Sequence, residues 1–296
     1  MESFVIAIKE RNLKSNYTGF RNLIKTFFEI DEAIKKGDIR YLTIDLVNVK
    51  HFDSNLFAVL SAKCVEYYNK GIQVKLANVD KSLQKKLEPY NFPLIDSNAK
   101  NDNIKYMVFK RNQFAKFNNH VSNIFAQKNY NLPQMSNALK NKIIDGLGEV
   151  FGNVFMHTES ENVFFCGQVT FGSSRRLDIT IVNIGKTIKE NVEEFCAITG
   201  NPLPPNCIEW CAINGNTTKL SKTGGLGLTI LKEFVIKNNG RLQILSANEY
   251  WESGKQEKSK NIDKYQFGGT IVNVEFNLND KNSYKLRSEF DVNDVF

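Results

Sequence analysis

The chain has 296 residues, 42% of them hydrophobic and 24% charged, which is long enough for two packed domains and too apolar for a disordered chain. No apolar run approaches the roughly 20 residues needed to cross a bilayer, and the opening MESFVIAIKERN lacks the basic start, long apolar core and small-residue end of a secretion signal. Five scattered cysteines (Cys64, Cys166, Cys196, Cys207, Cys211) are an odd number with no C-x-x-C pair, which excludes a disulfide framework and suits reduced thiols in a cytoplasmic protein.

The formal charge is +7, and seven Lys or Arg against the single acid Asp102 fall between residues 101 and 144. Such a stretch could meet nucleic acid or an acidic protein surface, but with no recognised nucleic-acid motif in the chain the excess reads first as solvated helix faces. Cys207 and Cys211 share an i, i+4 spacing with Cys196 upstream, but a fourth metal ligand is missing.

In chain order, residues 4–9 read as a first strand. Over residues 18–36, Phe20, Leu23, Ile24, Phe27, Phe28 and Ile34 recur at helical period, and Gly37 stops the helix. A buried strand follows at 40–47. Asp53-Ser54 then caps a helix through Asn69, ended by Lys70-Gly71. Another strand spans 72–79, and Asp80 opens a helix to about residue 90. Strands alternating with helices predict a small α/β domain over residues 1–95, with a polar linker at 96–104.

Residues 43–92, TIDLVNVKHFDSNLFAVLSAKCVEYYNKGIQVKLANVDKSLQKKLEPYNF, resemble the STAS domain of anti-sigma-factor antagonists. The resemblance implies a protein partner and makes Ser54, at the position of that family's phosphorylatable serine, a regulatory candidate. Asn55-Leu56 follow it here in place of the family's small residues. Read from the residues alone, an Asp-Ser pair at a helix start is a cap, because both side chains accept hydrogen bonds from exposed helix N–H groups.

After the linker come a strand at 105–110, a helix at 112–127 and a break at Asn131-Leu132-Pro133. The next helix, 139–157, carries an apolar stripe of Leu139, Ile143, Ile144, Leu147, Val150, Val154 and Phe155. Along its edge Glu149, Asn153 and His157 repeat at i, i+4, i+8 and so share one face. Three polar groups beside a buried stripe are costly unless they hold something, and a carboxylate, a carboxamide and an imidazole suit a hydrated Mg²⁺ with a phosphate; the alternative is an amphipathic helix whose polar flank falls in register by coincidence. Strands at 163–171 and 177–183 are joined by Gly172-Ser173-Ser174. A long, partly helical excursion over 190–221 is of the sort that covers active sites. Gly224-Gly225-Leu226-Gly227 opens a helix to about Lys237, strands follow at 241–246 and 269–277 around a polar hairpin region at 250–265, and residues 281–296 read as a loose polar tail.

Four pieces in order over residues 105–280 resemble the GHKL ATPase fold shared by gyrase, Hsp90, histidine kinases and MutL. They are EVFGNVFMH on the helix, VNIGK at a strand end, TGGLGLTILKEFV at the second glycine cluster, and GGTIVNVEF as the closing strand. The resemblance implies a mixed α/β chain, an α+β sandwich in its second part: a STAS-like domain followed by a Bergerat-type ATP-binding domain. It implies ATP and Mg²⁺ as cofactors. Asn153 would hold Mg²⁺, and Glu149 would orient or deprotonate the attacking water or hydroxyl. The nucleotide would be bound by His157, Asn183, Gly185, Lys219, Lys222, Thr223, Gly224, Gly225, Leu226, Gly227, Leu228 and Thr270. Asn183 replaces the family's Asp, and Thr187 replaces its second glycine.

Two function classes remain. One is an enzyme, an ATPase or an anti-sigma-like serine kinase in bacterial signalling. The other is a non-catalytic, nucleotide-gated or degenerate interaction module working through the STAS-like domain. Both expect a protein partner, both accommodate a homodimer, and neither needs a membrane.

Overall fold

The computed structural model describes residues 2–81, 83–84, 104, 106–158, 160–213, 215–218, 226–254 and 257–290. The predicted helix after Asp80 and the linker lie largely outside those residues.

The N-terminal unit is a β-α-β-α-β run. Strands β1 (Ser3–Ala7), β3 (Tyr41–Asp45) and β5 (Gln73–Ala77) form a parallel sheet in the order β1-β3-β5, with helices α1 (Tyr17–Lys36) and α2 (Phe57–Asn69) as the crossovers. Asn16, not foreseen as a cap, starts α1 by accepting from the Gly19 N–H at 2.9 Å. Two short strands, β2 (Asn12–Leu13) and β4 (His51–Phe52), pair in parallel and bring the loop before α1 beside the loop before α2.

The C-terminal unit is built on a seven-stranded antiparallel sheet. Its strands are β6 (Met107–Lys110), β8 (Asn162–Thr170), β9 (Arg176–Ile184), β10 (Arg241–Ala247), β11 (Glu249–Glu252), β12 (Lys258–Asn261) and β13 (Phe267–Asn277), in the order β12-β11-β10-β13-β9-β8-β6. Helices α3 (Phe114–Ala126), α4 (Asn137–His157) and α7 (Leu226–Lys237) cover one face. Helices α5 (Ile188–Thr199) and α6 (Cys207–Ala212) occupy the expected excursion. Ser136 caps α4, accepting from the Leu139 N–H at 3.1 Å.

The tail departs from expectation. β14 (Ser283–Tyr284) pairs with β7 (Gln134–Met135), and the Tyr284 ring meets Phe234 of α7 edge-on at 5.2 Å. Order therefore continues through Glu289, which accepts from the Ser136 hydroxyl at 2.5 Å. Two apolar side chains, Tyr284 and Leu286, pack on the core of the C-terminal unit and outweigh the polar composition around them.

Strand side chains alternate between faces, and here both faces are covered. On β9, Leu177, Ile179 and Ile181 join the helical core, whereas Val182 packs into the core shared with the N-terminal unit. On β13, Val272 and Val274 go to the helices and Ile271 to the shared core. The N-terminal unit is thus docked through α2 and the turn before it onto the sheet face opposite the helices. That docking was not legible in the sequence.

Candidate functional site

α4 positions the predicted trio. Its regular geometry puts Glu149, Asn153 and His157 on successive turns about 6 Å apart, and all three line a cavity of about 180 Å³ between α4, α7, the α5–α6 segment and the sheet. Asn183 and Thr270 are brought there by register: they sit directly opposite each other on β9 and β13, on the helix-facing side. Leu228, in the first turn of α7, closes another side. The helical wall and the two strand residues foreseen from sequence therefore converge on one hollow, which no described side chain plugs. Apolar groups fill the rest of the wall, including Val150, Ile181, Ile208, Ile244 and Val272.

Two carboxamides in this wall are incompletely satisfied. Asn153 Oδ1 and Asn183 Nδ2 are shielded from solvent and have no hydrogen-bond partner among the described residues. Asn183 as a whole is 2% exposed. A buried polar atom without a partner costs about 1–3 kcal/mol, so these two leave hydrogen-bonding capacity in the cavity wall that the described residues do not use.

Other predicted residues fall differently. Lys219, Lys222, Thr223, Gly224 and Gly225 lie outside the described residues, and Leu226 and Gly227 are placed only as the opening backbone of α7. Gly185 is not in the cavity wall. It lines an adjoining groove at φ 140°, where a Cβ would meet Thr158. Thr187 serves its own helix. It caps α5, accepting from the Glu190 N–H at 3.2 Å while Glu190 accepts from the Thr187 N–H at 2.7 Å.

Sequence reading missed part of the wall. Lys186, Asn191, Asn216, Thr217 and Thr218 add a polar rim, and Thr158 joins from the end of α4. Lys186 lies within the VNIGK stretch and could have been picked out as the cation nearest it. The others come mainly from the excursion, where no periodicity marks which side chains turn inward. Glu249 was missed too. It is buried on β11 and accepts from the backbone N–H groups of Cys207 and Ile208 at 2.8 and 3.1 Å, which pins the start of α6 against the cavity. Among the described residues no cluster of His, Cys, Asp and Glu could hold a metal, so the cysteines of α5 and α6 remain thiols packed together.

The other face of the sheet carries a second polar constellation, where the N-terminal unit docks. Asp53 was expected to cap α2. Its side chain makes no cap bond, because a 3₁₀ turn over Ser54–Leu56 intervenes. The Asp53 carboxylate instead accepts from the Ser15 N–H at 2.8 Å, meets the His51 ring at 2.9 Å and accepts from Arg176 at 3.1 Å. Burial opposes its ionisation, yet the Ser15 amide, His51 and Arg176 outweigh that and hold the carboxyl below the usual range. Asn55 donates to Thr180 Oγ1 at 2.8 Å and Asn273 Oδ1 at 3.0 Å, and accepts from the Ser15 hydroxyl at 2.8 Å. Arg176 also donates to Asp178 at 2.8 Å. Burial, then the nearby Glu275 and Asp53 carboxylates, push the Asp178 carboxyl up to about 7 against the pull of Arg176. Ser54 is 5% exposed in this seam, its backbone N–H donating to Gln168 and its carbonyl accepting from the Cys166 thiol at 3.2 Å. Ser54 and the cavity are on opposite faces of the sheet.

Residues 19–99 match the STAS domain family model, so the N-terminal unit contains a STAS domain. STAS domains occur in anti-sigma-factor antagonists and other regulatory proteins and mediate contacts between proteins. No curated protein matches this sequence. Among solved structures, the histidine kinase domain from Erythrobacter litoralis EL346 blue-light activated histidine kinase is similar over 62% of this chain and 71% of that chain, at 15% identity and a TM-score of 0.28, a level that carries no conclusion about this chain. No described helix is long and apolar enough to cross a membrane.

Proposed function

We propose that the chain is a nucleotide-responsive regulator, in which the cavity beside α4 takes ATP with Mg²⁺ and the STAS domain deals with a protein partner. The observation that carries this reading is the cavity itself: Glu149, Asn153, His157, Asn183 and Thr270, from three separate elements, meet around an apolar slot in which the Asn153 and Asn183 carboxamides each leave an atom unpaired among the described residues. The slot's aliphatic walls suit a flat heterocycle, and the polar groups of α4 with Lys186 suit its anionic end. The residues fit the metal as well. Asn153 would hold Mg²⁺ through its carboxamide oxygen, and the ion would supply charge neutralisation to the phosphates.

In the catalytic version of the proposal Glu149, in the cavity wall, would orient or deprotonate a water or hydroxyl for hydrolysis or phosphoryl transfer to serine. One observation favours the non-catalytic version within a single chain. Ser54, the acceptor suggested by the STAS resemblance, is buried across the sheet from the cavity, so transfer to it requires the two units to part or a second molecule to present it.

The strands give a physical link between the two faces. β9 sends Asn183 to the cavity and Asp178 and Thr180 to the seam; β13 sends Thr270 to the cavity and Asn273 to the seam. A nucleotide that shifts these strands changes both.

Thermal unfolding with ATP, ADP and GTP, each with and without Mg²⁺, tests the binding. A nucleotide at 100 times its dissociation constant adds about 2.7 kcal/mol, so a Mg²⁺-dependent rise in melting midpoint is expected, and none with any nucleotide would sink the proposal. Glu149→Gln then separates the versions: an enzyme loses turnover and keeps the shift, whereas a switch keeps its partner response.

A further inference from the structure

We propose that docking of the STAS domain on the sheet is coupled to proton uptake: Asp178 is protonated while the domain is seated and ionised once it lifts, which makes the seam a pH-sensitive latch over Ser54. The seam is built with more carboxylates than cations. Asp178 is 0% exposed on β9, and the strand register sets it directly opposite Glu275 of β13 on one side and Gln168 of β8 on the other. Like charges directly opposite one another in a sheet are destabilising. Arg176 donates from Nε to Asp178 at 2.8 Å, but its terminal nitrogen is given to Asp53 at 3.1 Å. Arg241, opposite Glu275 in the register, is held by that carboxylate at 2.5 Å and lies 3.9 Å from Glu252 of β11. Asp178 Oδ1 is left shielded from solvent with no hydrogen-bond partner among the described residues.

The other neighbours do not supply the missing positive charge. β8 brings the Gln168 carboxamide, which serves Ser54, Asp53 and Thr170, and the Cys166 thiol. On β11 the Tyr250 hydroxyl donates to Glu252 at 2.6 Å. Lys63 of α2 is paired with Glu66 and with Asp31 of α1. Ser15 and His51 both bind Asp53, and all three belong to the N-terminal unit and move together. Seating the domain therefore brings the Asp53 carboxylate to a sheet face that already carries Asp178, Glu252 and Glu275 against two guanidinium groups, and it removes the water that would screen them. The Ser15 amide, His51 and Arg176 keep Asp53 ionised. The proton goes instead to Asp178, on the oxygen that has no partner. Burial, then Glu275 and Asp53, raise that carboxyl to about 7 in the seated form. Lifting the domain readmits water and takes Asp53 away, so the value falls. By linkage, opening grows as pH rises from the open-form value to about 7 and is level above it.

Cys166 reports the opening. It is fully buried in the seam, its thiol donating to the Ser54 carbonyl at 3.2 Å, whereas Cys207 is buried in α6 on the cavity side of the sheet. The experiment is N-ethylmaleimide labelling of the full chain, located by peptide mass, each rate being divided by that of free cysteine at the same pH. The Cys166 rate is expected to rise at least about tenfold from pH 5.5 to 7.5 and to change less than about twofold from pH 7.5 to 8.5, with Cys207 rising far less. Asp178→Asn, neutral at every pH, is expected to keep the slow rate of the acid form throughout. A Cys166 rate that is flat from pH 5.5 to 7.5, that rises in step with Cys207 as whole-chain unfolding requires, or that keeps its wild-type slope in Asp178→Asn would overturn the inference. The wild-type profile needs no variant to fold.

Discussion

Asp178→Asn is the most direct probe of the seam beneath the STAS domain. Asp178 is fully buried, and four carboxylates (Asp53, Asp178, Glu252, Glu275) share the neighbourhood with two guanidinium groups, Arg176 and Arg241. The balance is resolved at Asp178, whose carboxyl goes from 3.8 to about 7. Because the folded value is the higher one, this group favours folding fully only below about pH 4, where the unfolded chain is protonated too, and the benefit drains away as pH rises to 7. At about 1.4 kcal/mol per pH unit, the full displacement corresponds to about 4 kcal/mol, with the pull of Arg176 already included. The asparagine is neutral at every pH and keeps an oxygen for the Arg176 Nε–H, which now reaches Asp178 Oδ2 at 2.8 Å. Relative to wild type, the variant is therefore expected to be close to neutral at pH 4 and more stable at pH 8 by about 3–4 kcal/mol, which is about 6–8 °C in melting midpoint for a chain of this size. Melting curves of both proteins at pH 4, 6 and 8 give the double difference, in which titrating groups remote from Asp178 cancel. The carboxylates with lowered values, Asp53 and Glu66 among them, act in the opposite sense and below about pH 4.5, so they leave the window above it clear. A variant that loses the same stability at pH 4 and pH 8 would show that Asp178 is ionised throughout and that its ion pair with Arg176 dominates.

Asn55→Leu removes the bonds to Thr180, Asn273 and the Ser15 hydroxyl at a site with 0% exposure. Orphaning those groups should cost at least about 2 kcal/mol and weaken the docking, seen as faster amide exchange in α2 and β8; unchanged exchange there would refute a role in holding the units together. Gly269 has φ 153°, and a Cβ at that position would come 2.0 Å from the Asn183 carbonyl oxygen. Gly269→Ala should therefore destabilise by about 1–3 kcal/mol and also blunt the proposed nucleotide response, because β13 must move from β9 beside Asn183; an unchanged midpoint would mean that the strands yield freely.

The order of elements, the STAS domain and the helical wall of the site could all be read from the amino acids without coordinates. The STAS domain was read through a resemblance carried by residues 43–92, whereas the elements and the helical wall rest on local periodicity: apolar residues at helical or strand spacing, capping residues at the ends, and an i, i+4, i+8 trio that any regular helix aligns. Asn183 and Thr270 were singled out too, but only through motif resemblance; what joins them is a strand register that pairs residues 87 positions apart. Three features became visible only in the folded chain: Asp53 turns away from its helix to an arginine 123 residues later, Ser54 is covered, and the tail is packed through Tyr284. The reason is that an antiparallel sheet offers two faces, and composition does not say what covers the second. Alternation along β9 and β13 left polar residues on that face, readable as solvent-exposed, and only the docking of the N-terminal unit shows that they are buried against partners of their own.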